Sequence, residues 1–122
     1  MALIKKFEDI VAWQEARKLV SNVYRLTNTG ALAKDYGMRD QLQRASVSAM
    51  TNIAEGFDCE SKTEFARFLS IARRSAVEVQ SLLYAALDVG YIDGETFKIE
   101  YQQAEKTKAL IGGLKKSLKL AT

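Results

Sequence analysis

The sequence predicts an all-α fold: an antiparallel up-and-down four-helix bundle that is one subunit of a homo-oligomer. Two observations carry that expectation. Apolar residues recur at three- and four-residue spacing along four stretches of similar length, the period of a helix with one buried face. Between the stretches stand glycines and capping residues, in connections short enough to force neighbouring helices antiparallel. With no proline and no Ser/Gly-rich or acidic run, nothing marks a linker, and residues 1–122 read as one domain.

The first helix is expected over about residues 8–28, where Trp13, Ala16, Val20, Val23 and Tyr24 form the stripe and Leu19 and Leu26 widen it. Gly30 fits a left-handed C-cap, residues 29–36 a connecting loop, and Asp35 a cap for the second helix. That helix, about residues 37–57, gathers Met38, Leu42, Ala45, Ala49 and Ile53 on one face, with Val47, Met50, Ala54 and Phe57 extending the arc. Arg44, Ser48, Thr51 and Glu55 leave only a narrow polar stripe, so the apolar arc is wider than one bundle core requires. A contact with another subunit is therefore expected at Val47, Met50 and Ala54, together with the Trp13 region.

Ser61-Lys-Thr-Glu64 has the form of a capping box, with Phe65 directly after it, and starts the third helix. Its stripe runs through Phe65, Phe68, Leu69, Ala72, Ala76, Val79, Leu83 and Ala86 to a C-cap at Gly90. Asp93 can cap the fourth helix, whose Phe97, Tyr101, Ala104, Ile111, Leu114 and Leu118 continue the pattern, faltering only at Thr107 and Lys108. If the second and third helices fold about Glu60, Phe57 meets Phe65, Ile53 meets Leu69 and Ala45 meets Ala76. The same register predicts two salt bridges, Arg44 with Glu78 and Glu55 with Arg67.

The residue types that usually perform catalysis in bundle cores are missing. The histidine count is zero and Cys59 is the single cysteine, which removes Ser-His-Asp and Cys-His systems and Cys/His or Glu-x-x-His metal motifs. Cys59, between Asp58 and Glu60, reads as a spectator thiol and not as a nucleophile. Gly112-Gly113 lacks the preceding strand and the lysine of a phosphate loop and reads as close helix packing or local fraying. Asn52, Glu55, Arg44 and Glu78 read as groups that fix register. No catalytic residue, cofactor or metal is expected, and the chain does not read as an enzyme. One cysteine suits a reducing cytoplasm, and no signal-like segment or run of about 18 apolar residues marks an exported or membrane-spanning protein.

The run 40–57, Asp-Gln-Leu-Gln-Arg-Ala-Ser-Val-Ser-Ala-Met-Thr-Asn-Ile-Ala-Glu-Gly-Phe, and the run 61–73, Ser-Lys-Thr-Glu-Phe-Ala-Arg-Phe-Leu-Ser-Ile-Ala-Arg, resemble the ribosomal RNA intervening-sequence protein family. Residues 7–16 are similar to that family's first helix, and residues 87–92 to its turn into the fourth. The resemblance implies a four-helix bundle assembling as a homopentamer, with no established catalytic activity. It extends more weakly to the accessory variability determinants of diversity-generating retroelements, where a basic pentamer binds nucleic acid and a reverse transcriptase. Gln43 stands where the family commonly has a second arginine, and Arg74 where a glycine is common, so an inherited RNA surface would be rearranged.

The formal charge is +3 with a pI near 9.0, and its distribution matters more than its size. No acidic residue follows Glu105, whereas Lys106, Lys108, Lys115, Lys116 and Lys119 do. Lys108, Lys115 and Lys119 fall along one edge of the fourth helix, while Arg67 and Arg74 repeat one heptad apart on the third, with Arg73 offset. Arg67, Arg73, Arg74, Lys108, Lys115, Lys116 and Lys119 are the candidate phosphate contacts, and a ring of subunits would multiply each weak patch. The reading is a non-catalytic accessory protein binding RNA or DNA without sequence preference. The alternative is a scaffold or protein-interaction module.

Overall fold

Local sequence sets where each helix begins and ends. The computed structural model describes residues 4–120, the side chains of Lys119 and Leu120 excepted. It contains four helices, α1 (Val11–Thr27), α2 (Tyr36–Asp58), α3 (Lys62–Asp88) and α4 (Gly94–Leu120), and 3-10 turns at Phe7–Asp9 and Gly30–Lys34. The starts of α2, α3 and α4 are closed by side chains that accept a backbone N–H: Asp35 from Met38 at 3.1 Å, Ser61 from Glu64 at 3.2 Å, and Asp93 from Thr96 at 2.7 Å. Gly30 and Gly90 turn the chain with φ of +60° and +83°, a region that a β-carbon disfavours.

Helix α1 starts at Val11, later than its periodicity implies, because Ile10 is extended and splits Phe7–Asp9 off as a separate turn. That break buries Ile10 and brings the Phe7 ring edge-on to Trp13, with centroids 5.1 Å apart. The connection expected as plain loop is the Gly30–Lys34 turn, which inserts Leu32 into the core at 1% exposure. Thr107, where the apolar pattern falters, is fully buried, and its hydroxyl donates to the Gln103 carbonyl at 2.9 Å, so α4 runs through unbroken.

Each helix packs against its two neighbours around the ring: α1 on α2 and α4, and α3 on α2 and α4. Phe57 lies against Phe65 with centroids 6.0 Å apart, and the Ser48 and Ser75 hydroxyls meet at 2.8 Å, so α2 and α3 adopt the expected register. Asn52 donates to the Ser48 carbonyl and hydroxyl at 2.9 and 3.0 Å, tying it into the same seam. The closest approach is at Gly56, where a β-carbon would sit 2.7 Å from Phe68 Cβ.

Arg44 and Glu78 form an ion pair across this hairpin. The pair expected between Glu55 and Arg67 is not made: Arg67 bonds Glu64 on its own helix at 3.0 Å and lies over the Phe68 ring. Both Glu55 and Arg67 are solvent-exposed, and a partner three residues away on the same helix is reached with less ordering than one across the hairpin. Along the wide apolar arc of α2, Met50 and Phe57 pack on the cluster of Ile53, Leu69 and Ile111, and Val47 and Ala54 are half-buried. Trp13 joins the same cluster.

Candidate nucleic-acid interface

Helices α3 and α4 run antiparallel in a register marked by three contacts. The Tyr84 ring packs on Phe97 with centroids 4.7 Å apart, Gln80 donates to Glu105 at 3.3 Å, and Arg73 crosses Gly112, its Nε 3.8 Å from where a β-carbon would stand. That register draws Arg73 of α3 together with Lys108, Lys115 and Lys116 of α4 along two adjoining hollows of about 380 and 250 Å³. Gly112 lines both, and Glu105, Ala109 and Gly113 line the larger.

The groove keeps a strong positive balance, four cations against one carboxylate. Glu105 is bonded by Lys108 at 3.0 Å, and this contact, followed by that of Gln80, holds its carboxyl below the ordinary range. Arg73 adds a weaker attraction to the same carboxylate. Lys115 and Lys116 make no salt bridge among the described residues. A dianionic or polyanionic ligand entering here therefore meets cations whose charge is mostly uncompensated.

Arg67 and Arg74 are not brought to this groove. Arg74 is exposed one residue on from Arg73, hence about 100° around the helix, and Arg67 is held by Glu64. The side chain of Lys119 lies outside the described residues. The glycine pair acquires a meaning that sequence reasoning did not give it. Neither glycine has a positive φ, and Gly113 has nothing within 4 Å of the place a β-carbon would occupy, so neither backbone strain nor packing demands it. The available signal was energetic: glycine inside a helix costs about 0.5–1 kcal/mol relative to alanine, so two in succession call for a reason.

A second hollow, about 460 Å³, lies along α1 and is lined by Gln14, Arg17, Lys18, Ser21, Asn22 and Arg25. Of its cations Arg17, Lys18 and Arg25, only Lys18 forms a salt bridge among the described residues. Buried Glu15 takes Lys18 at 3.0 Å and Lys106 of α4 at 3.5 Å, while Gln103 donates to it at 3.1 Å. The Gln103 bond, then that of Lys18, holds the Glu15 carboxyl below its ordinary range. Arg25 bonds Asn22, and Arg17 lies 5.8 Å from the centroid of the Trp13 ring. Among the described residues, no cluster of acidic or sulfur side chains could hold a metal ion, and no helix is long and apolar enough to cross a membrane.

The sequence from residue 8 to residue 113 matches the family model described as 23S rRNA-intervening sequence protein. Arg73, Lys108, Gly112 and Gly113 fall within the match, and Lys115 and Lys116 lie just beyond it. Among solved structures, a protein of unknown function from the S23 ribosomal protein family of Bacteroides thetaiotaomicron is similar with a TM-score of 0.81. It is 20% identical, and the alignment covers 87% of this chain and 96% of that one, a likeness that shows the fold. No curated protein matches the sequence.

Proposed function

Because the chain belongs to the 23S rRNA-intervening sequence protein family, we propose that it is a non-catalytic oligomeric accessory protein that binds RNA or DNA through the α3–α4 groove. The observation that carries this reading is the convergence of Arg73, Lys108, Lys115 and Lys116 on one glycine-lined surface. Cations held at fixed spacing displace counterions from a phosphate backbone, a contact that carries no sequence information. Binding is therefore directed at the backbone and tolerant of sequence. Assembly into a ring, the homopentamer that the family resemblance implies, would set several such grooves on one polynucleotide and raise avidity without any new contact.

Filter binding of a structured RNA at 50 and 200 mM salt tests the proposal. With three or four phosphates neutralised per groove, affinity is expected to fall on the order of 50-fold or more over that range. Absent binding, or binding indifferent to salt, would overturn it.

A further inference from the structure

The same seam carries an aromatic site at its other end. Tyr84 is 50% exposed, yet its ring is held by Phe97 at 4.7 Å and by Tyr101 at 5.7 Å, both half-buried. Its hydroxyl has no hydrogen-bond partner among the described residues, so ring packing fixes its position and leaves about half of the side chain open to solvent. Arg73, Val77 and Tyr84 follow one another along α3 at helical spacing on the side facing α4, and Val77 is 42% exposed between the other two. The aromatic end and the basic end are thus parts of one strip.

Building on the function proposed above, we infer that this strip takes a single-stranded polynucleotide, its phosphates on Arg73, Lys115 and Lys116 and a base stacked on Tyr84. From Arg73 to Tyr84 α3 rises about 16 Å, room for roughly five nucleotides at 3.4 Å each and fewer in an extended strand. The missing β-carbons at Gly112 and Gly113 let a phosphate approach the α4 backbone beside the cations. Glu105, at mid-strip, is bonded by Lys108 and Gln80, which offsets its charge where the strand passes. A duplex keeps its base faces inside the stack, so it can use the cations but not Tyr84.

Fluorescence anisotropy with oligouridylate and oligodeoxyuridylate of about ten nucleotides, and with a hairpin duplex of equal charge, tests this. The single strands are expected to bind roughly tenfold tighter than the duplex, and a preference between them identifies the sugar of the strand. Tyr84→Ala should lower single-strand affinity by about the same factor and leave duplex affinity unchanged, while Tyr84→Phe retains it. Ultraviolet cross-linking of a 4-thiouridine oligonucleotide to the unaltered protein should map to the peptide holding Tyr84, a readout independent of any variant's folding. Equal affinity for strand and duplex, or cross-links remote from Tyr84, overturns this inference alone. Failure of every polynucleotide to bind removes the proposed function with it.

Discussion

Two helical glycines, Gly56 and Gly113, differ in what surrounds them, and their substitutions should act in opposite directions. At Gly56 a β-carbon would lie 2.7 Å from Phe68 Cβ and 2.9 Å from the Phe65 ring, atoms fixed close to the α3 backbone. Gly56→Ala is therefore expected to destabilise the bundle by about 1–3 kcal/mol in urea denaturation. Gly113 has open space around the same position, so Gly113→Ala should raise stability by about 0.5–1 kcal/mol. If phosphate approaches the backbone there, the same substitution should weaken polynucleotide binding, a split between stability and binding that packing alone does not produce. The glycines show what a sequence exposes at this scale. Gly56 closes the Asn-Ile-Ala-Glu-Gly segment that carries the family resemblance, but only the geometry reveals that it admits the α3 phenylalanines. Gly112-Gly113 is visible in the sequence as a pair, but its meaning depends on Arg73 crossing it from another helix.

Among the helix pairs, α1–α4 is where buried carboxylates make stability depend on pH. Glu15 accepts from Gln103 and Lys18 and pairs with Lys106, and its depressed pKa means stability that is present above the ordinary carboxylate range and lost as pH falls through the depressed value. Glu100 has the opposite sign. Desolvation raises its pKa, against weaker pulls from Asn22 and Arg25, and its Oε1 is buried without a hydrogen-bond partner among the described residues. Its folded form holds a proton more tightly than the unfolded one, so this group costs stability above the raised pKa and the cost fades as pH falls. Glu100→Gln should stabilise the protein at pH 7, with the gain shrinking as pH falls through the raised pKa and gone below the ordinary value of 4.5, as urea denaturation across that range would show. The α2–α3 pair was the most legible in sequence, because apolar matches at Phe57–Phe65 and the Ser61 cap together fix a hairpin register. Register does not settle which of two accessible partners a long side chain takes, and Arg67 takes Glu64. Ile10 and Leu32 escaped the helical pattern because their burial depends on short 3-10 turns, which periodicity does not reveal.

For the whole molecule, the four-helix ring was readable because each helix carries its own apolar period, whereas the candidate site was only half readable because it spans two helices. The cations of α4 stood out as a run without acidic residues, but which α3 arginine joins them depends on the turn between helices, and it is Arg73 and not Arg67 or Arg74. A homo-oligomer should sediment at a multiple of 13.6 kDa, fivefold for the pentamer implied by the family, and a monomer at micromolar concentration would remove the avidity from the proposed function. The most direct measurement is the slope of log affinity against log salt for RNA binding by the unaltered protein, Arg73→Ala and Arg67→Ala. Loss of Arg73 should reduce the slope by about one, while loss of Arg67, held by Glu64 away from the groove, should leave it unchanged. Equal slopes for all three proteins, or a reduction with Arg67→Ala alone, would contradict binding through the α3–α4 groove.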